Sequence, residues 1–211
     1  MLCIEDAELS FTKHLLFQPF SMTLKSGDMA VLVAPSGGGK STLLRWIAGI
    51  PSVGLHAKGR VFLNGEQIDH LPAEKRQIGL MFQQSLLFPH LNVADNLGFG
   101  LPAHIKGKAR KIQIEEALIQ AGLEGMGARD PETLSGGQQA RIALMRVLLS
   151  QPKALLLDEP FSSLDDRRRK AITTFVITLA RQRGLPVLLV SHDPRDSDLD
   201  GVNVTYLKSV Q

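Results

Sequence analysis

A glycine-rich segment at residues 34–42 carries the residue types that bind phosphate. It follows an apolar run, Met29–Val33, and leads into a predicted helix at Thr42–Ala48. Its members are, in order, Ala34, Pro35, Ser36, Gly37, Gly38, Gly39, Lys40, Ser41 and Thr42. Glycines let backbone N–H groups surround phosphate oxygens, and a helix N-terminus adds a positive dipole end. In this context we expect Lys40 to neutralise the β- and γ-phosphates of a nucleotide and Ser41 to coordinate Mg²⁺.

Ala34 stands where the phosphate-loop pattern usually has glycine. A methyl group is tolerated there if the backbone φ is negative. The alternative interpretation, a flexible glycine-rich linker, explains neither the flanking strand and helix nor the adjacent Lys40 and Ser41.

Two adjacent carboxylates, Asp158 and Glu159, follow a second apolar run, Ala154–Leu157. Asp158 is expected to hold Mg²⁺, partly through water, because Mg²⁺ prefers a few carboxylates and retained waters. Glu159 is expected to polarise an attacking water beside the γ-phosphate. An acidic turn before Pro160 is the alternative, and the phosphate loop upstream argues against it.

Four apolar runs supply the elements that must position these residues. Each is uninterrupted and of strand length, which is typical of parallel strands covered on both faces. Their carboxyl ends lead to the glycine loop, Gln83, Asp158 and His192, and ligands of open α/β sheets bind at such ends. The runs are Met29–Val33, Ile78–Phe82, Ala154–Leu157 and Val187–Val190.

Helical patterns alternate with these runs and predict an α/β fold. Helices are expected at 108–121, 137–149 and 166–182, with Gly49 as the C-cap of the helix after the glycine loop. In the first of the three, one apolar stripe is expected to contain Ile112, Ile114, Ala117, Leu118 and Ala121. Residues 84–150 predict an inserted helical subdomain. The first 25 residues and 59–68 predict short antiparallel strands and a hairpin.

Length and composition restrict the class of protein. With 211 residues, 44% hydrophobic and 21% charged, the chain can bury a full core and has an ordinary globular composition. No apolar run approaches the roughly 20 residues of a spanning helix, and the acidic start does not match a signal peptide. One cysteine, Cys3, excludes an intrachain disulfide. A net charge of +3 and 5% aromatic residues give no reason to expect a nucleic-acid partner.

Further motifs resemble those of the ATP-binding subunits of ABC (ATP-binding cassette) transporters. Leu134–Gln139 matches the family's signature sequence, which other phosphate-loop enzymes lack. Gln83 matches its glutamine loop, Ser163–Asp165 its aspartate loop and His192 its switch histidine. Phe11 lies where the family places an aromatic that stacks on adenine. The motifs extend from residue 11 to 193 in the family's order.

The resemblance implies a fold and a mechanism. The fold is α/β, a P-loop NTPase (RecA-like) core with a small antiparallel β subdomain and an inserted α-helical subdomain. The whole of 1–211 would be one ABC ATPase domain, with the core and β subdomain at about 1–83 and 151–211 and the helical part at about 84–150. ATP would lie in a head-to-tail homodimer, between Lys40 of one subunit and the signature of the other. The signature residues implied in binding are Ser135, Gly136, Gly137 and Gln138.

The remaining family roles follow the same motifs. Gln83 would sense Mg²⁺ and the attacking water, His192 would contact the γ-phosphate and orient Glu159, and Asp165 would communicate across the dimer. Leu86, Leu87, Phe88 and Pro89 follow Gln83, in a segment that resembles the docking region for membrane permease subunits, especially in importers. A core-packed loop is the alternative for this segment.

The resemblance predicts an ATPase that energises a multi-subunit transporter, with ATP and Mg²⁺ as cofactors. The chain would be cytoplasmic, peripheral on the inner face of the cell membrane, with a solute-binding protein as an indirect partner. A soluble cassette acting on nucleic acid or ribosomes is the alternative. A phosphate-loop kinase or GTPase would leave the signature and His192 unexplained. Nothing in the chain selects a transported solute.

Overall fold

The arrangement of strands and helices is given by a computed structural model that describes residues 1–12, 14–84, 86–161, 164–193 and 202–208. The helices are α1 (Lys40–Ala48), α2 (Val93–Phe99), α3 (Gly107–Ala121), α4 (Gly136–Leu149) and α5 (Asp166–Arg183). The strands are β1 (Leu2–Phe11), β2 (His14–Leu15), β3 (Phe20–Leu24), β4 (Met29–Val33), β5 (Leu55–Leu63), β6 (Glu66–Gln67), β7 (Ile78–Met81), β8 (Ala154–Asp158), β9 (Val187–Ser191) and β10 (Asn203–Tyr206).

The apolar runs form one sheet, with the order β10-β4-β9-β8-β7 among the described residues. Strand β9 runs parallel to β4 and to β8, and β10 runs parallel to β4. All residues of β8 and β9 are buried, as expected for strands covered on both faces. The predicted strands therefore form, with ends that differ by at most one residue, and their carboxyl ends share one edge of the sheet.

The N-terminal region forms a separate antiparallel sheet in which β1 pairs with β2, β3 and β5, and β5 pairs with β6. The antiparallel pairing and the β5–β6 hairpin are confirmed. The expectation of short strands is wrong for β1 and β5, which contain 10 and 9 residues. The predicted α/β fold class is confirmed.

Two elements were not predicted, and one helix face differs from prediction. Helix α2 and strand β10 had no corresponding expectation. In α3 the buried residues are Ala117, Leu118 and Ala121, whereas Ile112 is 47% exposed. The predicted apolar stripe is wrong at Ile112 because only the later part of α3 is buried.

By internal contacts the chain divides into two compact units. The first contains Met1–Leu80, Lys153–Glu159 and Phe175–Gln211, and the second Met81–Pro152 and Pro160–Thr174. Across the described parts of both units, no helix has the length and apolar character needed to cross a membrane.

Helix α1 ends against a buried arginine within the first unit. Arg76 is 5% exposed and donates to the carbonyls of Trp46 and Ile47 in the last turn of α1, at 2.8 and 2.9 Å. Its Nε donates to the carbonyl of Leu71 at 2.7 Å. Gly49, at φ 78°, is the C-cap as predicted, and a Cβ there would lie 2.5 Å from Arg76 Nε. The guanidinium thus adds a donor to the Trp46 carbonyl, which also accepts from the Gly49 N–H at 3.1 Å, and supplies one to the Ile47 carbonyl at the helix end.

Candidate functional site

The glycine loop has the backbone conformation that its composition predicts. Gly37 and Gly39 have φ values of 80° and 81°, in the left-handed region. A Cβ on Gly39 would lie 2.9 Å from a ring carbon of Phe17 and 3.0 Å from Cβ of Leu16. A larger residue than glycine at position 39 would therefore be strained and crowded. Ala34 is buried, and its φ is not in the left-handed region. Alanine is therefore compatible with the backbone conformation at this position of the loop.

Lys40 is the first residue of α1, and its ammonium group contacts carbonyl oxygens of the preceding loop. Its Nζ donates to the carbonyls of Ala34 and Pro35 at 2.7 and 3.0 Å. The same Nζ lies 3.3 Å from Oε1 of Glu159. Lys40 is only 5% exposed, so its charge is compensated by these oxygens rather than by solvent.

Ser41 and Asp158 meet although they are far apart in sequence. Ser41 Oγ donates to Oδ1 of Asp158 at 2.9 Å. Asp158 is 7% exposed at the end of β8, and burial raises the pKa of its carboxyl group, although the Ser41 hydrogen bond opposes the shift. A hydroxyl and a buried carboxylate side by side match the oxygen ligands that Mg²⁺ takes. In the described ranges no group of three or more His, Cys, Asp or Glu side chains could hold a metal ion, so this pair would need nucleotide or water ligands as well.

Glu159 uses both carboxylate oxygens. Oε1 faces Lys40, and Oε2 lies 2.6 Å from Nδ1 of His192, which follows β9. Glu159 has a φ of 45°, a conformation that is unusual outside glycine. Its backbone N–H donates to the carbonyl of Val190 at 3.1 Å, which ties the turn to the neighbouring strand. The carboxyl ends of β8 and β9 thus place the two side chains together, and strained backbone of this kind is often found at functional sites.

The signature segment begins a helix in the second unit. Ser135 is the N-cap of α4, and it forms a capping box with Gln138: Gln138 N–H donates to Ser135 Oγ at 3.4 Å, and Ser135 N–H to Gln138 Oε1 at 2.9 Å. The helix begins at Gly136, one residue before the predicted start at residue 137. A Cβ on Gly137 would meet no atom within 4 Å, so the helix N-terminus is open at this position.

The remaining predicted site residues are Gln83, Ser163, Asp165 and Phe11. Gln83 is exposed and follows β7 in the second unit. Asp165 accepts from the N–H of Arg168 at 3.0 Å and pairs with its side chain at 3.2 Å, so it also caps α5. Ser163 lies outside the described residues. In the first unit, Phe11 ends β1 and pairs in register with His14 and Leu55.

The segment Leu86–Pro89, called the docking segment below, presents apolar surface in the second unit. Leu86 is 53% exposed and has a φ of 42°. Phe88 stacks against Phe99 with ring centroids 4.7 Å apart, and Phe99 is 67% exposed. The core-packed alternative thus does not describe Leu86, and Phe99 extends the apolar surface.

Sequence reasoning missed three polar residues that organise these regions: Arg76, Asn96 and Arg146. Arg76 lies in a charged stretch before β7, and Asn96 lies among residues typical of a turn. Arg146 is one of two arginines on α4, with Arg141. Their partners are distant in sequence, so composition and periodicity give no signal for them.

The parallel sheet, the glycine loop and the paired Ser41 and Asp158 define a P-loop nucleoside-triphosphatase. The family model described as ABC transporter matches residues 17–162. The chain therefore belongs to the ABC transporter family.

Individual relatives agree with this assignment. An uncharacterized ABC transporter ATP-binding protein, YnjD of Escherichia coli strain K12, is 45% identical over 95% of this chain and 92% of its own length. The Fe(3+) ions import ATP-binding protein FbpC 1 of Rhizobium meliloti is 41% identical over 82% of this chain and 48% of its own length. The spermidine/putrescine import ATP-binding protein PotA of Haemophilus influenzae is 39% identical over 92% of this chain and 52% of its length. The chain thus spans about half the length of the last two relatives.

A solved structure shares the fold. It is the dimeric structure of a post-hydrolysis state of the ATP-binding cassette MJ0796 bound to ADP and Pi, with a TM-score of 0.80 and 27% identity over 99% of this chain and 94% of that chain. The RecA-like cassette fold is therefore confirmed. As an ATP-binding subunit of an ABC transporter, the chain binds ATP and hydrolyses it to drive transport.

Proposed function

We propose that the chain is the ATP-hydrolysing subunit of a multi-subunit importer, a single ABC ATPase domain that works as a homodimer. The observation that carries the proposal is the convergence of Lys40, Ser41, Asp158, Glu159 and His192 in the first unit. Import is supported by relatives whose names specify import of Fe(3+) ions and of spermidine/putrescine. Recognition of the solute would belong to permease and solute-binding subunits.

The glycine loop, residues 34–42, would hold the phosphates. Its backbone N–H groups and the N-terminus of α1 attract anions, and Lys40 supplies the charge. Phe11 would stack on the adenine. The ammonium group of Lys40 is already desolvated and held by two carbonyls, so little reordering is needed for it to bind the γ-phosphate.

Ser41 and Asp158 fit a Mg²⁺ ion. Gln83 would be a further ligand, a role that rests on the resemblance to the family's glutamine loop. When bound, the ion would neutralise charge on the β- and γ-phosphates. The hydroxyl of Ser41 is oriented by Asp158, and the raised pKa of Asp158 reflects a buried carboxylate that lacks a full counter-charge. Positive charge at this position would stabilise the ionised form of that carboxylate.

Glu159 would accept the proton of the attacking water. In this structure Oε1 faces Lys40 and Oε2 faces His192. A γ-phosphate competes with Glu159 for the Lys40 ammonium, and this competition frees Oε1. Water then attacks the γ-phosphorus, its proton passes to Oε1, and the bond to the ADP oxygen breaks. His192 holds the carboxylate through Oε2 while this happens.

The second unit would complete the site of a partner subunit. Ser135, Gly136, Gly137 and Gln138 at the N-terminus of α4 would bind the γ-phosphate held by Lys40 of the other subunit, and Asp165 would lie at the dimer interface. The capping box leaves the hydroxyl hydrogen of Ser135 able to donate, since its oxygen only accepts from Gln138. Loss of the γ-phosphate would remove the contacts that bridge the subunits.

The docking segment, Leu86, Leu87, Phe88 and Pro89, would contact a membrane-spanning permease subunit. The chain would then lie in the cytoplasm, peripheral on the inner face of the cell membrane. The exposed Leu86 and the exposed Phe99 beside Phe88 support this surface. No observation among the described residues favours the alternative, a cassette acting on nucleic acid or ribosomes.

Affinity purification from native membranes tests the proposed partners. The wild-type chain should co-purify with integral membrane proteins that stimulate its ATPase activity, and the Leu86→Glu variant should not. Ile112→Glu is a matched control, because Ile112 is a similarly exposed apolar residue on α3. Recovery only in ribosomal or soluble fractions, or equal loss of partners in both variants, would contradict the proposal.

A further inference from the structure

A buried asparagine fixes the backbone of the docking segment. Asn96 on α2 is fully buried, and its Oδ1 accepts from the N–H of Phe88 at 2.8 Å. Its Nδ2 donates to the carbonyls of Phe88, Leu91 and Asn92 at 3.0 to 3.1 Å. Both ends of the amide are satisfied, so this part of the second unit is held rigidly.

An arginine on α4 joins the same network. Arg146 Nη2 donates to the carbonyl of Leu86 at 2.9 Å, and Nη1 to Oδ1 of Asn96 at 3.3 Å. Its guanidinium carbon lies 5.1 Å from the centroid of the Phe88 ring, a cation–π distance. Leu86 is in the left-handed region, an unfavourable conformation for leucine, and the Arg146 bond holds its carbonyl there.

Helix packing fixes the position of Arg146 as well. Gly100 follows α2, and a Cβ on it would collide with the carbonyl oxygen of Arg146. The backbones after α2 and within α4 are therefore in close contact at Arg146, whose side chain binds the docking segment.

The other end of α4 carries the signature. Ser135 caps the helix and Arg146 lies 11 residues further along, which corresponds to roughly 16 Å at 1.5 Å per residue. A helix of this length behaves as a rigid connection, because each turn is hydrogen-bonded to the next.

We propose that Arg146 is a positioning residue that ties the docking segment to the signature helix, so that engagement of Ser135 by nucleotide moves the docking segment through α4. This inference rests on the proposed function. It assigns a coupling route that is separate from Gln83: the γ-phosphate held in the dimer pulls on one end of α4, and Arg146 transmits the displacement at the other end.

A fluorescent label on the docking segment tests this route. The parent chain carries Cys3→Ser, Glu159→Gln and Leu86→Cys, with an environment-sensitive thiol fluorophore on Cys at position 86. Leu86 is suitable because its side chain is exposed and the hydrogen bond from Arg146 is to its carbonyl, which the substitution keeps. Mg-ATP is added while light scattering reports dimer formation. We expect the parent to dimerise and its emission to change.

Three variants of the parent separate coupling from folding. Arg146→Gln should dimerise with Mg-ATP but lose more than half of the emission change. Arg146→Lys should retain an intermediate response, since lysine keeps the charge but lacks the forked set of N–H donors of the guanidinium. Arg141→Gln is the matched control: Arg141 is also on α4 and partly buried, but it donates to the carbonyl of Ala121 on α3 at 3.1 Å. It should keep the full response.

The outcomes are distinct. A full response in Arg146→Gln, or a dimer with an unresponsive label in the parent, would overturn the inference alone. If the parent formed no dimer with Mg-ATP, the proposed function would fail and the inference with it. If Arg146→Gln did not fold by circular dichroism, Arg146→Lys would decide, because an undiminished response in that folded variant contradicts the proposal.

Discussion

Neighbouring carboxylates at the end of β8 have different surroundings and so different chemistry. Asp158 is buried and accepts from Ser41, whereas Glu159 contacts Lys40 and His192 with its two oxygens. Burial disfavours the charge on Asp158 and makes a nearby cation favourable. In the proposed mechanism Glu159 instead exchanges its contact with Lys40 for the proton of the attacking water. In the proposed mechanism the two residues therefore have separate roles, Asp158 as cation ligand and Glu159 as proton acceptor.

Replacement of Asp158 by asparagine separates stability from function. The pKa of Asp158 is raised above its ordinary value of 3.8, so its ionised form destabilises the fold as pH rises through the raised pKa. Asp158→Asn keeps an acceptor for Ser41 and removes the charge. Without nucleotide it should be more stable near neutral pH, by about 1.4 kcal/mol for each pH unit that separates the raised pKa of Asp158 from its ordinary value. This advantage should shrink as the pH falls toward the ordinary value. It should also lose the added stability that Mg-ATP gives the wild type.

Thermal melts followed by circular dichroism between about pH 4 and 8, a range that approaches the ordinary pKa, measure this effect. Asp69→Asn is a control whose stability should change in the opposite direction. Burial tends to raise the pKa of Asp69, but hydrogen bonds from Val61 and Gln67 lower it overall, so that variant should melt lower at neutral pH. Asp158→Asn melting below the wild type at neutral pH would contradict the account.

Ala34 offers a second prediction for a single residue. Its φ is compatible with alanine, so glycine adds only freedom in the unfolded chain. Ala34→Gly should reduce the free energy of unfolding by about 0.4–1 kcal/mol and leave the ATPase rate unchanged. Urea denaturation and a steady-state ATPase assay measure the two quantities. A clear gain in ATPase activity would show that the methyl group restricts the loop.

Helices and strands explain which features the sequence can predict. The strands β4, β8 and β9 are continuous apolar runs, so their burial determines both their type and their ends. Helix α2 is short and contains Asp95, Asn96 and Gly98, which have low helix propensity; it depends on the Asn92 cap and on packing against α4. Strand β10 has no apolar run, and all four of its residues are exposed or partly exposed. Tertiary contacts, not local pattern, form these two elements.

The same reasoning applies to the polar residues within the elements. Lys40, Ser41, Asp158 and Glu159 belong to local motifs, and their juxtaposition follows from the shared sheet edge. Arg76 and Arg146 act through backbone carbonyls of distant segments. A carbonyl is present at every residue, so no side-chain pattern marks the partner in advance.

Arg76 provides a prediction at the level of helix α1. Arg76→Met removes the side-chain donor from the carbonyls of Trp46, Ile47 and Leu71, of which Trp46 keeps the Gly49 N–H, and should reduce the free energy of unfolding by about 2–3 kcal/mol. Arg60→Met is the control, because Arg60 is 58% exposed and pairs with Glu5 at the surface, so its loss should cost less than about 1 kcal/mol. Urea denaturation compares the variants. Equal effects of the two substitutions would show that Arg76 does not secure the end of α1.

In the proposed mechanism, the first compact unit of the chain hydrolyses ATP, and the second carries the signature and the docking segment. The first unit contains the complete cluster around Glu159, and the second contains the signature helix, the docking segment and the network between them. In the proposed mechanism neither unit acts alone, since each nucleotide needs the signature of a partner subunit. ATP turnover in one unit can then control a surface in the other.

The most direct test of the account is the behaviour of Glu159→Gln with Mg-ATP. We predict that it binds ATP at least as tightly as the wild type, since Lys40 no longer has to leave a carboxylate, and that it forms a stable dimer by light scattering. Its hydrolysis rate should fall by about 100-fold or more, the usual contribution of a general base. Glu8→Gln, which removes an exposed pairing with Lys58, should hydrolyse ATP normally. Hydrolysis by Glu159→Gln at the wild-type rate would contradict the account.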